Sequence, residues 1–154
     1  MPRLDEGDSQ AQLVCIDPAR VHEFWPHVSP LIRMAMERGG ITDFTDVADA
    51  ARAGRALVWM AWNGTAIKAV AVTQLGTVNG MRFCTIVACG ASPSKPAGRR
   101  RGRGRDEWLP LLAGLERYAK AEDCKAMRIF GRRGWERLLP DYKAARVLLE
   151  KELT

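Results

Sequence analysis

The sequence predicts an α/β fold in which a mixed, mostly antiparallel central sheet is flanked by helices, in the order β-α-α-β-β-β-α-β-α-β. Two observations carry that reading. Three apolar runs in the middle of the chain are separated by Asn63-Gly64 and Asn79-Gly80, the dipeptide that suits tight turns between antiparallel strands. After them, Trp108, Leu111, Leu112, Leu115 and Ala119 recur at helical spacing, and the apolar Lys125–Phe130 run follows. At 154 residues the chain has room for one domain, 1–154, because a split would leave two marginal cores.

Taken in order, residues 1–11 are polar and read as a flexible N-terminus, and Leu13–Ile16 is short, apolar and partly β-branched, a first strand. Asp17-Pro18 gives a cap residue with proline at the first helical position. Val21, Phe24, Trp25 and Val28 then mark a helix that Pro26 should bend or interrupt. Ser29-Pro30 repeats the start signal, Leu31, Met34 and Ala35 supply the next buried face, and Gly39-Gly40 ends it. Thr45 is placed to cap a short helix through Ala51 that stops at Gly54.

The meander comprises Arg55–Trp62, Ala66–Leu75 and Met81–Ala88, with type I′ geometry expected at Asn63-Gly64 and a second turn at Asn79-Gly80. A basic Gly/Arg-rich loop spans 91–104, and Asp106-Glu107 opens the amphipathic helix with acids at its positive end. Lys125–Phe130 is the next strand, Gly134–Leu139 a short helix closed by Pro140, and Tyr142–Leu153 a last strand. That final assignment rests on the alternation of Ala145, Val147 and Leu149, although Leu148 and Lys151 also fit a helix.

Composition narrows the function classes. The apolar fraction of 47% and charged fraction of 27% are those of a globular domain. No apolar run approaches the roughly 20 residues of a membrane span, and the start lacks a signal-peptide core, so a cytoplasmic protein without a membrane partner is expected. Cys15, Cys84, Cys89 and Cys124 form no Cys-x-x-Cys pair, and His22 and His27 lie away from them, so no metal site is expected. The net charge of +6 is concentrated between Lys95 and Arg105, where one lysine and five arginines meet no acid.

Arg99-Arg100-Arg101-Gly102-Arg103-Gly104 stands directly before the amphipathic helix. Glycines there let successive N–H groups converge on an anion, the helix start adds positive potential, and arginines add charge-assisted bonds. Together with the element order, this segment resembles the GNAT N-acetyltransferases, whose coenzyme pattern is Arg/Gln-x-x-Gly-x-Gly/Ala. A narrower resemblance runs through Trp25, Leu57-Val58-Trp59, Ala69–Thr73, Cys89-Gly90, Trp108-Leu109, Leu115-Glu116 and Ile129–Trp135. These look like a group of small GNAT-like proteins of tailed phages and prophages, some suspected in virion assembly, in which a Tyr follows at the position of Tyr142. Many of those proteins have a short loop where this chain has its arginines.

The resemblance implies a GNAT-like fold and an N-acyltransferase that uses acetyl-CoA, held on Arg99, Arg100, Arg101, Gly102, Arg103 and Gly104, with an amine or protein acceptor. It also implies an oxyanion donor among the backbone N–H groups from Val87 to Cys89. Catalytic side chains are harder to place. The proton donor of GNAT enzymes is often a tyrosine, but Arg137 occupies the matching place, which leaves Tyr142 as donor or packing residue. Cys89 is a nucleophile candidate or an inert thiol, and no carboxylate lies between Asp49 and Asp106 to serve as base. Two other readings therefore stand beside the enzyme. One is a non-catalytic phage or prophage protein that works through phage or host protein contacts, in host cytoplasm or virion. The other is nucleic-acid binding through the arginine loop, ranked lower because no aromatic is interleaved there to stack bases.

Overall fold

Among the described residues five strands form one sheet in simple sequence order, β1-β2-β3-β4-β5. In the computed structural model, residues 11–37, 42–92, 103–130 and 135–153 are described, with the backbone alone for 103–108. The expected flexible N-terminus, apart from Ala11, lies outside them, as does most of the basic loop. Strands β1 (Gln12–Cys15), β2 (Leu57–Trp62), β3 (Ile67–Val78) and β4 (Met81–Ala91) pair antiparallel in succession. Strand β5 (Ala126–Ile129) runs parallel to β4, from Phe83↔Ala126 to Ile86↔Ile129. A parallel neighbour needs a long crossover, and α3 (Arg103–Ala121) supplies it.

The sheet is covered on both faces. On one side α1 (Val21–Glu37) and α2 (Phe44–Arg52) contribute Val21, Val28, Ile32, Met36, Val47 and Ala51 to a core with Val58, Met60, Val70 and Val72. On the other, Leu111, Leu112 and Leu115 of α3 pack on Trp59, Ala61, Ala69, Ala71 and Ile86. Near-continuous apolar sequence in β2 and β3 follows from this burial on both faces.

Several local expectations are corrected. Pro26 and Pro30 do not divide the first helical region: α1 runs through both. The prolines are four residues apart and exposed, so the backbone bonds they forfeit lie on the solvent face, where water satisfies the carbonyls. The unbroken helix also keeps one phase, burying Ile32 and Met36 while Met34 is exposed. Asp43, not Thr45, caps α2, its side chain accepting from Thr45 N at 3.4 Å.

The turn expected at Asn79-Gly80 is formed, with positive φ at Asn79 (51°) and Gly80 (75°). The type I′ geometry expected at Asn63-Gly64 is not: only Gly64 has positive φ (98°). There the Asn63 side chain organises residues 63–66 as an Asx turn, Oδ1 accepting from Thr65 N (2.9 Å) and Ala66 N (2.7 Å). Helix α3 starts at Arg103, ahead of the expected Asp106, and the short helix is α4 (Trp135–Leu138). The last expected strand is not formed. Residues 142–153 join no ladder, and 143–153 are exposed throughout.

Candidate active site between β4 and β5

The site begins with one extra residue. Across β3 and β4 the register runs Ala69↔Ala91, Val70↔Gly90, Ala71↔Cys89 and Val72↔Ala88, then jumps to Thr73↔Ile86. Val87 is therefore a β-bulge, which bends its strand and reverses the parity of everything beyond it. Ile86 and Cys89 consequently both face the α3 side, while Val87 and Ala88 both pack on the α1 side.

Pairing with β5 ends at the same place. Beyond Ile86↔Ile129 the strand β4 continues through Ala91 without β5 beside it. The direction of its backbone groups follows from the ladder. Ser92 N donates to Lys68 O at 2.8 Å, which makes Ser92 opposite Lys68 a hydrogen-bonded pair. Such pairs alternate in antiparallel strands, so Gly90 and Ala88 bond to β3, while Cys89 and Ala91 turn their N–H and C=O groups away from it. Those groups line the opening that β5 leaves.

Gly90 seats this segment against α1. A Cβ at that position would lie 3.2 Å from Ala35 Cβ and 3.2 Å from Leu31 O, tighter than an ordinary contact, so a side chain there would require α1 to give by a few tenths of an ångström.

The sequence-derived residues fall in three groups. Val87 and Cys89 are at the bulge and on the open edge. The Cys89 thiol is sunk into the α3-side core, and burial pushes its pKa up strongly, which leaves no thiolate at neutral pH. Tyr142 packs against the same core, and its hydroxyl donates to Glu116 Oε1 at 2.8 Å. Burial, then the Glu116 bond and charge, raise the Tyr142 pKa, so the phenol keeps its proton. Of the basic loop, Arg99, Arg100, Arg101 and Gly102 lie outside the described residues, whereas the backbone of Arg103 and Gly104 forms the first turn of α3.

Glu116 is the residue the sequence did not single out as functional. Its signal is its place on α3, one residue past Leu115 of the buried stripe and hence at the edge of the helix's packed face. Among the described residues there is no cluster of His, Cys, Asp or Glu able to hold a metal ion, and no helix long and apolar enough to cross a membrane.

No protein-family model matches the sequence, and no curated protein matches it. Solved structures do match over nearly the whole chain. A GNAT family acetyltransferase of Staphylococcus aureus superposes with a TM-score of 0.60 at 13% identity, covering 94% of this chain and 99% of its own. The chain has the GNAT fold. Aminoglycoside N-acetyltransferase AAC(6′)-Iy, solved in complex with CoA, superposes on this GNAT fold with a TM-score of 0.62 at 15% identity, covering 97% and 99% of the two chains. A predicted acetyltransferase of Clostridium acetobutylicum, solved with acetyl-CoA, gives 0.61 at 12% identity over 92% and 95%. At these identities the likeness is one of fold, and the site must be argued from this chain's own residues.

Proposed function

We propose that the protein is an N-acyltransferase that takes its acyl group from acetyl-CoA bound where β4 and β5 part. The observation that carries this reading is the edge of Cys89 and Ala91 beyond the Val87 bulge, with which no strand among the described residues pairs. Its N–H groups are fixed donors for the oxygen of a thioester, and fixed dipoles stabilise a developing oxyanion without reorganising. The backbone of Arg103 and Gly104 at the start of α3, with Arg99–Gly102 preceding it in sequence, supplies the pyrophosphate cradle.

In the reaction an amine nitrogen of the acceptor attacks the thioester carbon, the carbon–sulfur bond breaks, and the thiolate takes a proton. Tyr142 is the proton donor in this assignment, because its hydroxyl stays protonated and its side chain packs against the same core as Cys89 and Ala91. Glu116, an exposed carboxylate on that hydroxyl, positions it and is assigned as acceptor of the proton the amine loses. The Cys89 side chain has no role in transfer.

One observation favours a second reading. Strands β2, β3 and β4 carry no carboxylate at all, as suits a GNAT-like scaffold of the phage or prophage kind that acts through protein contacts. Thermal unfolding with acetyl-CoA and with desulfo-CoA separates the two. Ligand at about 100 times its Kd adds about 2.7 kcal/mol, which raises Tm by roughly 5–10 °C in a domain of this size. The enzyme reading expects that shift in wild type and its loss in Arg99→Ala/Arg101→Ala. No shift at millimolar ligand would leave the scaffold.

A further inference from the structure

The α1-side face of the sheet is covered along only part of its length. Val58, Met60, Val70, Val72 and Ala88 lie under α1 and α2, but no residue of β3 or β4 between Thr73 and Ile86 belongs to that core, nor does any residue of β5. Alternation fixes which side chains stand on the uncovered part. Met127 and Ile129 face α3, so Arg128 between them faces the other way, and its Cζ lies 3.7 Å from the centre of the Phe83 ring. Met81, two residues before Phe83, shares that face, as does Val78, its direct partner across the hairpin. Val78 is 43% exposed and Met81 38%. Beside them Lys125 Nζ donates to Met81 Sδ at 2.9 Å.

We infer that this face is a docking site for an amphipathic helix of a partner protein, one whose apolar stripe is flanked by carboxylates. The helical form follows from the surface. A sheet face is completed by a packed layer, and α1 and α2 already supply helices to the rest of this one. The acidic flank follows from charge complementarity. Strands β3, β4 and β5 carry no carboxylate, and among the described residues neither Arg128 nor Lys125 makes an ion pair. Each cation rests instead on an apolar side chain, and a guanidinium stacked on a ring keeps its N–H donors for a carboxylate.

Among the described residues the chain has no such helix of its own to offer. Helices α1, α2 and α3 turn their apolar faces to the sheet. The exposed residues 143–153 carry Lys143, Arg146 and Lys151 against Glu150 and Glu152, the wrong balance for a basic face. The acids Asp5, Glu6 and Asp8 lead into Gln12, which pairs with Trp62 at the opposite end of β3 from Val78. The face also stands clear of the open edge of β4: from Phe83 to Cys89 the strand runs about 20 Å, so a helix docked there leaves the proposed acyl site free.

Fluorescence anisotropy of labelled helical peptides against the full chain is the test, one peptide with a leucine stripe flanked by glutamates and one with lysines in their place. The glutamate peptide should bind and the lysine peptide should not. In Lys125→Glu/Arg128→Glu the preference should reverse, the glutamate peptide weakening by about 10-fold or more through like-charge repulsion. Val78→Asp changes an exposed side chain, so it should keep the wild-type circular dichroism and still weaken the glutamate peptide. A peptide with the same glutamates on an alanine stripe should bind more weakly than the leucine one. Failure of the glutamate peptide to bind wild type would overturn the proposal. So would equal binding to wild type and both variants, which is what capture by Arg99–Arg103 predicts, or equal binding of the alanine-stripe peptide. Tighter binding by Val147→Asp/Leu149→Asp would reveal the chain's own last segment as the occupant and would overturn it too.

Discussion

Tyr142 and Glu116, far apart in the chain, meet at 2.8 Å where the end of the fold closes over helix α3. The contact joins the last anchored residue of the chain to the helix that bridges β4 and β5. It also holds the phenol in its protonated form through burial, and through an acceptor that would repel a phenolate.

Removing that hydroxyl tests catalysis and folding separately. Tyr142→Phe should lower kcat for acetyl transfer by about 10²- to 10⁴-fold, the range of a lost general acid, with little change in acetyl-CoA affinity. Its cost in stability should be only about 0.5–1 kcal/mol, since a hydrogen bond at an exposed carboxylate is replaced by water. A kcat within a few-fold of wild type would remove Tyr142 from the chemistry.

Alkaline pH gives an independent check. Burial, aided by Glu122, raises Tyr118 from the ordinary 10.0 to about 12, and Tyr142 also shifts upward. Burial likewise raises Cys84 from 9.0 to about 11, only partly offset by a hydrogen bond from Thr73. A group with a raised folded pKa retains its proton when the unfolded chain has lost it. Its stabilisation is thus complete below the unfolded value and is lost as pH climbs toward the folded one. Tm should be flat up to about pH 9 and fall increasingly above pH 10, less steeply in Tyr142→Phe.

Trp59 Nε1 donates to Thr73 Oγ1 at 2.9 Å, a polar bond inside the apolar core, and the Trp59 ring lies 4.9 Å from that of Tyr118. Thr73→Val keeps the shape but leaves the indole N–H without a partner, at a cost of about 1–3 kcal/mol. Melting should drop by about 3–10 °C. Trp59→Phe/Thr73→Val should lose less than the two single changes added together, because the orphaned donor is gone.

Much of this architecture was legible because patterns of short range decide it. The meander, the Asn79-Gly80 turn and the Leu111, Leu112, Leu115 stripe each follow from local spacing, and each is in place. What failed depended on surroundings. Pro26 and Pro30 read as breaks, yet their spacing puts both on the wet face of one helix, which sequence cannot reveal without knowing that face. Asn63-Gly64 has the same letters as Asn79-Gly80, but the side chain of Asn63 captures the backbone first. Tyr142 and Cys89 could be named from resemblance, whereas Glu116 and the Val87 bulge exist only in the register between strands and helix.

Gly90 holds strand and helix at contact distance, so any Cβ there must push α1 away. Gly90→Ala needs a shift of a few tenths of an ångström and should cost about 1–3 kcal/mol, as overpacking does. Gly90→Val should cost more. Because Gly90 lies between the two residues of the open edge, both variants should also weaken acetyl-CoA binding, seen as a smaller ligand-induced rise in Tm. Unchanged stability in Gly90→Ala would mean that α1 yields freely.

Cys89 allows the backbone and side-chain roles of one position to be separated. If the thiol is inert, Cys89→Ala should keep acetyl-CoA binding and turnover within about two-fold, since a buried, protonated thiol behaves as a small apolar group. Cys89→Pro deletes a different group, the N–H that the ladder alternation turns away from β3. Proline is tolerated where a strand's N–H faces no partner, so the sheet should persist, with melting lowered by a few degrees at most. Turnover should nevertheless fall by about 10²- to 10³-fold, the effect of losing one oxyanion donor. Proline at Gly90 is the control, because that N–H bonds to β3 and its loss should unfold the sheet. If Cys89→Pro folded and turned over like wild type, the open edge of β4 would not be where the acyl group reacts.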